Sequence, residues 1–210
     1  VKEVASLLKG LKFKQPLLPP DPVVELTARD GWKATLQTVR QSAEKYVVIH
    51  VQFGLGNRLR ALASAMAVAA AANRRLVVVW APDLHLNCSY RKLFAGPLPF
   101  VLVEEPVPWP NVYFDSNTFQ AFSYMKGDMG SRKGARINID LSRHLYVRSA
   151  FCLNHHRGGW EFARYHLRSL QPVEAGASKL VADSSRVGLH VRAVFDAPRA
   201  SGGGVTGSAA

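Results

Sequence analysis

Two short blocks combine permissive backbone with charge in a way that suits a phosphorylated ligand. The first is Gly54-Leu55-Gly56-Asn57-Arg58 and the second is His190-Val191-Arg192. Glycines let a ligand approach the backbone, and N–H groups at the start of a helix form a ready anion site. An arginine grips a diphosphate through paired hydrogen bonds and keeps its charge at any working pH. Each block also has a plainer meaning. Gly54 to Arg58 lacks the Lys-Ser or Lys-Thr of a P-loop, and Leu59 stands where a dinucleotide fingerprint has its third glycine. No acidic residue lies near the end of the next apolar run except Asp83. The block therefore reads equally as a structural turn, with Asn57 as a helix cap. Likewise His190 and Arg192 read equally as a satisfied core histidine and a surface ion pair.

Other polar residues carry weaker signals. Asp83 and His85 either line a site or make a turn. The adjacent His155 and His156 suit surface or packing roles, and Glu104 and Glu105 suit an exposed strand end. No Ser-His-Asp set and no metal-ligand spacing is present, so neither nucleophilic hydrolysis nor a metal site is expected. Cys88 and Cys152 are too few for a disulfide scaffold. They read either as a single pair or as two free thiols.

The elements that must position these residues follow from periodicity. Tyr46 to Phe53 is a β-branched, apolar run of the kind buried in parallel sheets. Leu59, Leu62, Ala63, Met66, Ala69 and Ala70 share one face at helical spacing, and the many alanines predict close packing on a sheet. Asn73 with Arg74 and Arg75 predicts the helix stop. Leu76 to Trp80 is a second buried strand, so residues 46–80 read as a β-α-β unit with a right-handed crossover. Further strands are expected at Phe100 to Val103, His144 to Cys152 and Arg186 to Val191. Helices are expected within Trp32 to Lys45, over Gly158 to Leu170, and from Pro172 to Ala182. Pro106 to Asp140, with Lys126, Arg132, Lys133 and Arg136, reads as a long mobile loop.

The chain of 210 residues has 48% apolar residues and a mean hydropathy of −0.03, which predicts a packed core. Its apolar run from Ala61 to Ala72 is too short to span a bilayer. Net charge is +12, with 27 basic residues scattered along the chain in runs of no more than two. That scatter argues against nucleic acid as the partner and leaves room for a small anionic ligand. The organisation expected is a peripheral segment at 1–45, a Rossmann-like α/β domain at 46–183, the first strand and loop of an incomplete second domain at 184–199, and a Gly/Ser tail at 200–210.

Taken in order, the motifs resemble the O-fucosyltransferase and α1,6-fucosyltransferase superfamily. Those motifs are Gly54-Leu55-Gly56-Asn57-Arg58-Leu59, the alanine-rich helix, Leu76-Val77-Val78-Val79-Trp80 with Pro82-Asp83, Leu167-Arg168-Ser169-Leu170-Gln171-Pro172, and Val187-Gly188-Leu189-His190-Val191-Arg192. The resemblance covers about residues 46–199. It implies the N-terminal half of a GT-B glycosyltransferase, transferring fucose from GDP-fucose to a hydroxyl on a protein or glycan acceptor with inversion and without a required metal or other cofactor. By resemblance, Arg192 is the catalytic residue that holds the donor β-phosphate and stabilises the departing diphosphate. His190 shapes the nucleotide pocket, and Gly54, Gly56, Asn57 and Arg58 line the cleft near sugar and acceptor.

The family places most guanine and ribose contacts after the His-x-Arg strand, where this chain runs into glycine and serine. The expectation is therefore that residues 1–210 alone do not turn over. Two alternatives stand beside the transferase reading: a non-catalytic truncated domain, and another nucleotide-binding α/β protein that uses the Gly54–Arg58 turn for phosphate. The compartment follows the lineage, the ER or Golgi lumen for a eukaryotic member and the cytoplasm for a bacterial one.

Overall fold

A computed structural model describes residues 27–107, 115–125 and 133–173, with side chains from residue 31 onward. Its centre is a five-stranded sheet in which every pairing is parallel. The elements in chain order are α1 (Thr27–Gln41), β1 (Tyr46–Val51), α2 (Leu55–Ala71), β2 (Arg75–Val79), β3 (Phe94–Ala95), β4 (Val101–Val103), β5 (Phe119–Ser123), β6 (His144–Ser149), α3 (Trp160–Leu167) and β7 (Gln171–Pro172). The sheet order is β4-β2-β1-β6-β5, and β3 pairs with β7 as a small antiparallel ribbon. This is the Rossmann-like α/β arrangement that the β-α-β pattern predicts.

Alternation along the strands builds two cores, because successive side chains leave opposite faces of a sheet. Val47, Ile49 and Val51 of β1 join Val78, Leu145 and Val147 under α2. Tyr46 and Val48 join Val77, Val79, Val101 and Tyr146 under Trp32, Leu36 and Val39 of α1. The alanines of α2 have a reason beyond the sheet. α2 also packs against α3 on its outer side, and Ala61 to Ala69 are buried without a break. Ala70, expected on the buried face, is exposed in the last turn of α2.

The ends of α2 divide the sequence expectations. At the C-terminus, Ala72 closes the helix and Asn73 adopts φ 50°, so the predicted stop is observed. At the N-terminus the cap is Gly54, not Asn57, which lies inside the first turn. The helix begins earlier than a polar cap would signal because the left-handed residue that breaks β1 is Phe53, with φ 68°.

Two other expectations are corrected, and one left open is decided. Residues 106–140 are not one loop, since they contain β5, paired with β6 from Phe119↔His144 to Ser123↔Arg148. Pro172 does not open a helix but pairs with Phe94 in the β3–β7 ribbon. Both cysteines are free thiols, and burial pushes Cys152 up from the ordinary thiol range. The expected helix to Ala182 beyond Val173, the strand Arg186 to Val191, the tail, and Lys126 and Arg132 lie outside the described residues.

Candidate functional site at the carboxyl edge of the sheet

Ligands of open parallel sheets bind beyond the carboxyl ends of the strands, where strand order changes direction. Here that place is the β1–β6 boundary: β2 and β4 lie on one flank of β1, while β6 and β5 fill the other. Gly54, Gly56, Asn57 and Arg58 all sit at this edge, because β1 runs directly into α2.

Their geometry separates them. Gly54 has ordinary extended backbone, and a Cβ there would meet nothing closer than the His85 carbonyl at 3.9 Å. Gly56 is exposed, and a Cβ would meet nothing within 4 Å. Neither glycine is demanded by the local fold. The N–H groups of Leu55 and Gly56 open the 17-residue helix α2, while those of Asn57 and Arg58 already donate to the Gly54 carbonyl at 3.0 and 3.1 Å. Asn57 is half-buried and its Oδ1 accepts from Arg60, one turn along.

Arg58 points the other way, into the protein, and is fully buried. Its Nε donates to the Phe53 carbonyl at 2.7 Å and its Nη1 to the Ala81 carbonyl at 2.7 Å. Nη2 forms an ion pair with Asp83 Oδ2 at 2.8 Å, set off the line of a hydrogen bond, and the guanidinium lies over the Trp80 ring at 5.2 Å. The sequence reading placed Arg58 on the cleft wall with the glycines; the structure places its charge behind that wall. Helical geometry separates them, since Gly56 and Arg58 are two positions apart and so leave the helix on different faces.

Asp83 and His85 form the turn of their plainer reading. Asp83 Oδ1 accepts from the N–H groups of His85 and Leu86 at 2.8 and 2.9 Å, and the Asp83 and Leu86 backbones bond reciprocally. The resulting tight turn sets the exposed His85 ring edge-on against Phe53 at 4.9 Å, beside Gly54.

A second polar group at this edge was not foreseen. His50, Gln52, Tyr146 and Arg148 lie on the α1 side of β1 and β6. His50 Nδ1 is 3.3 Å from the Tyr146 hydroxyl, and Arg148 Nη2 donates to Gln52 Oε1 at 3.0 Å. His50 is brought down to about 3 by burial, then by the charges of Arg148 and Arg58, with Asp83 opposing, so it is neutral at physiological pH. The signal was in the sequence as His50 and Gln52 at period two, hidden by the apolar run around them.

His190 and Arg192 lie outside the described residues. Among the described residues no group of three or more His, Cys, Asp or Glu is placed to hold a metal, and no helix is long and apolar enough to cross a membrane.

No protein-family model matches the chain, and no curated protein matches it. Among solved structures it is similar to two crystal structures of the fucosyltransferase NodZ from Bradyrhizobium, one with selenomethionine. Identities are 15% and 13%, with TM-scores of 0.41 in both cases, over 66% of this chain and 54% and 55% of theirs. The chain thus spans about half the length of the solved structures it matches.

Proposed function

We propose that the chain forms the acceptor-side half of a fucosyltransferase-like glycosyltransferase of GT-B architecture, which moves fucose from GDP-fucose to a hydroxyl of a protein or glycan. One observation carries the reading. The family-like block Gly54 to Asn57 stands at the β1–β6 switch point, with open space before Gly56 and no local packing need for either glycine. In this reading Gly54, Gly56 and Asn57 form the cleft wall near the sugar and acceptor. Arg192 holds the diphosphate from the facing side and stabilises the charge that develops on it as the glycosidic bond breaks. His190, on the same predicted strand, shapes the nucleotide pocket. No step is assigned to a metal. Arg192→Ala should weaken GDP-fucose binding at least about tenfold, the loss expected for one charged hydrogen-bonding partner; unchanged binding removes Arg192 from the donor site.

A second reading is favoured by the N-terminus of α2, whose first N–H groups suit a phosphate. A dinucleotide site of this kind uses an acid near the end of the second strand for the ribose. Asp83 holds that place, but its oxygens already serve Arg58, His85 and Leu86. That commitment favours the transferase reading. Tight binding of an adenine dinucleotide would reverse the order.

A further inference from the structure

Arg58 is an expensive way to fill space. A buried guanidinium loses its hydration, and an apolar side chain of similar volume is often as stable as a buried ion pair. What the arginine supplies is reach. Its partners come from three separate places at the carboxyl edge: the Phe53 carbonyl after β1, the Ala81 carbonyl after β2, and the Asp83 carboxylate in the next turn. One planar group therefore sets the spacing of the two loops that leave β1 and β2. It also meets the Phe53 carbonyl where the backbone is in the left-handed region, a conformation unfavourable for an L-residue of this size.

Asp83 extends the hold outward. One carboxylate oxygen faces Arg58 and the other accepts from His85 and Leu86, so the short turn is tied to the protein interior through a single side chain. The tip beyond it is open: Leu84 is fully exposed and the His85 ring reaches solvent along one side while the other rests on Phe53. His85 thus stands beside Gly54 and the start of α2, a hydrogen-bonding ring at the mouth of the candidate cleft.

We propose that Arg58 and Asp83 are positioning residues which lock the Phe53–Gly54 turn and the 83–86 turn into one rim and thereby hold His85 as a contact for a hydroxyl of the acceptor. The positioning rests on the contacts of Arg58 and Asp83 alone, whereas the acceptor contact rests on the transferase reading. A lysine cannot replace the arginine, because one ammonium group lacks the fork that meets separate acceptors.

The test uses the 210-residue protein and reads the His85 Cε1–H resonance together with amide exchange at Arg58 and Leu86. In Arg58→Met the His85 resonance moves to the position of a free histidine, and both amides exchange about tenfold faster or more as the edge opens locally. Arg58→Lys behaves like Arg58→Met, and millimolar guanidinium added to Arg58→Ala restores the native signals. Asp83→Asn keeps an oxygen for Leu86 but loses the ion pair, so the Leu86 amide stays slow while His85 leaves Phe53. A folded Arg58→Met with His85 unmoved overturns the proposal; should that variant not fold, an unmoved His85 in Asp83→Asn overturns it. None of these readouts needs a sugar nucleotide. In an active transferase, His85→Ala should raise the acceptor KM with little change in kcat or melting temperature. An unchanged KM removes the acceptor contact, and absence of GDP-fucose binding by the gene product that carries residues 1–210 removes the functional reading, while the positioning stands or falls on the spectra.

Discussion

Glycine substitutions separate packing from function at the level of single residues. Gly158 is buried where α3 approaches α2, and a Cβ there would collide with the Leu153 carbonyl oxygen. Backbone cannot yield as a flexible side chain does, so Gly158→Ala should cost about 1–3 kcal/mol in urea unfolding. Next to it, the buried Ser64 hydroxyl accepts from the Leu153 amide at 2.8 Å and donates to the Gly158 carbonyl. Ser64→Ala leaves that amide without its acceptor and should cost about 1–3 kcal/mol. Gly56 is the opposite case, since open space surrounds it. Gly56→Ala should stabilise the helix by up to about 1 kcal/mol while weakening binding of the sugar donor or acceptor. A variant that is both more stable and equally competent would show that Gly56 has no part in the cleft. That Gly54 to Arg58 stand where β1 turns into α2 was legible in the sequence, but the direction each side chain takes was not. Glycine, asparagine and arginine were adjacent letters; only the helix geometry shows that Gly56 faces out and Arg58 faces in.

Strands β1 and β6 carry a pH dependence of their own. Burial brings His50 down to about 3, aided by Arg148 and Arg58, and brings His144 down to about 4, aided by Lys45 and Arg74. His144 sits under Tyr46 and Phe119, and its Nδ1 accepts from the Tyr46 amide at 3.1 Å. The unfolded chain binds these protons near pH 6.5 and the folded chain resists them, so stability rises with pH across the interval between the two values. The contribution is complete above about pH 6.5 and is lost as pH falls towards 4 for His144 and 3 for His50, at up to about 1.4 kcal/mol per pH unit for each group. Urea midpoints between pH 4 and 7 should therefore climb steeply in the wild type and less so in His50→Gln; parallel slopes would contradict the assignment of His50. The long-period elements were readable in advance: β1, α2, β2, β4 and β6 follow from apolar runs and helical spacing. β5 was not, because Phe-Gln-Ala-Phe-Ser is short and its polar residues, Gln120 and Ser123, follow no period of two; the strand is secured by pairing with β6 across residues distant in sequence. The β3–β7 ribbon escaped for the same reason, as pairs of two residues have no period to read.

For the whole molecule, the parallel order β4-β2-β1-β6-β5 sets where the candidate site lies. Both faces of the sheet are covered by helices, which leaves the carboxyl edge as the place where loops converge, with the glycine turn, the Asp83–Leu86 turn and the His50–Arg148 group around it. The position of Arg192 relative to this edge is what the proposed chemistry depends on. The most direct measurement is a calorimetric titration of GDP-fucose, GDP and an adenine dinucleotide into the gene product that carries residues 1–210, beside its Arg192→Ala variant. The account predicts saturable binding of GDP-fucose and GDP, none of the adenine dinucleotide, and a loss of about tenfold or more in the variant. Absence of guanosine-nucleotide binding, or equal binding by the variant, would contradict it.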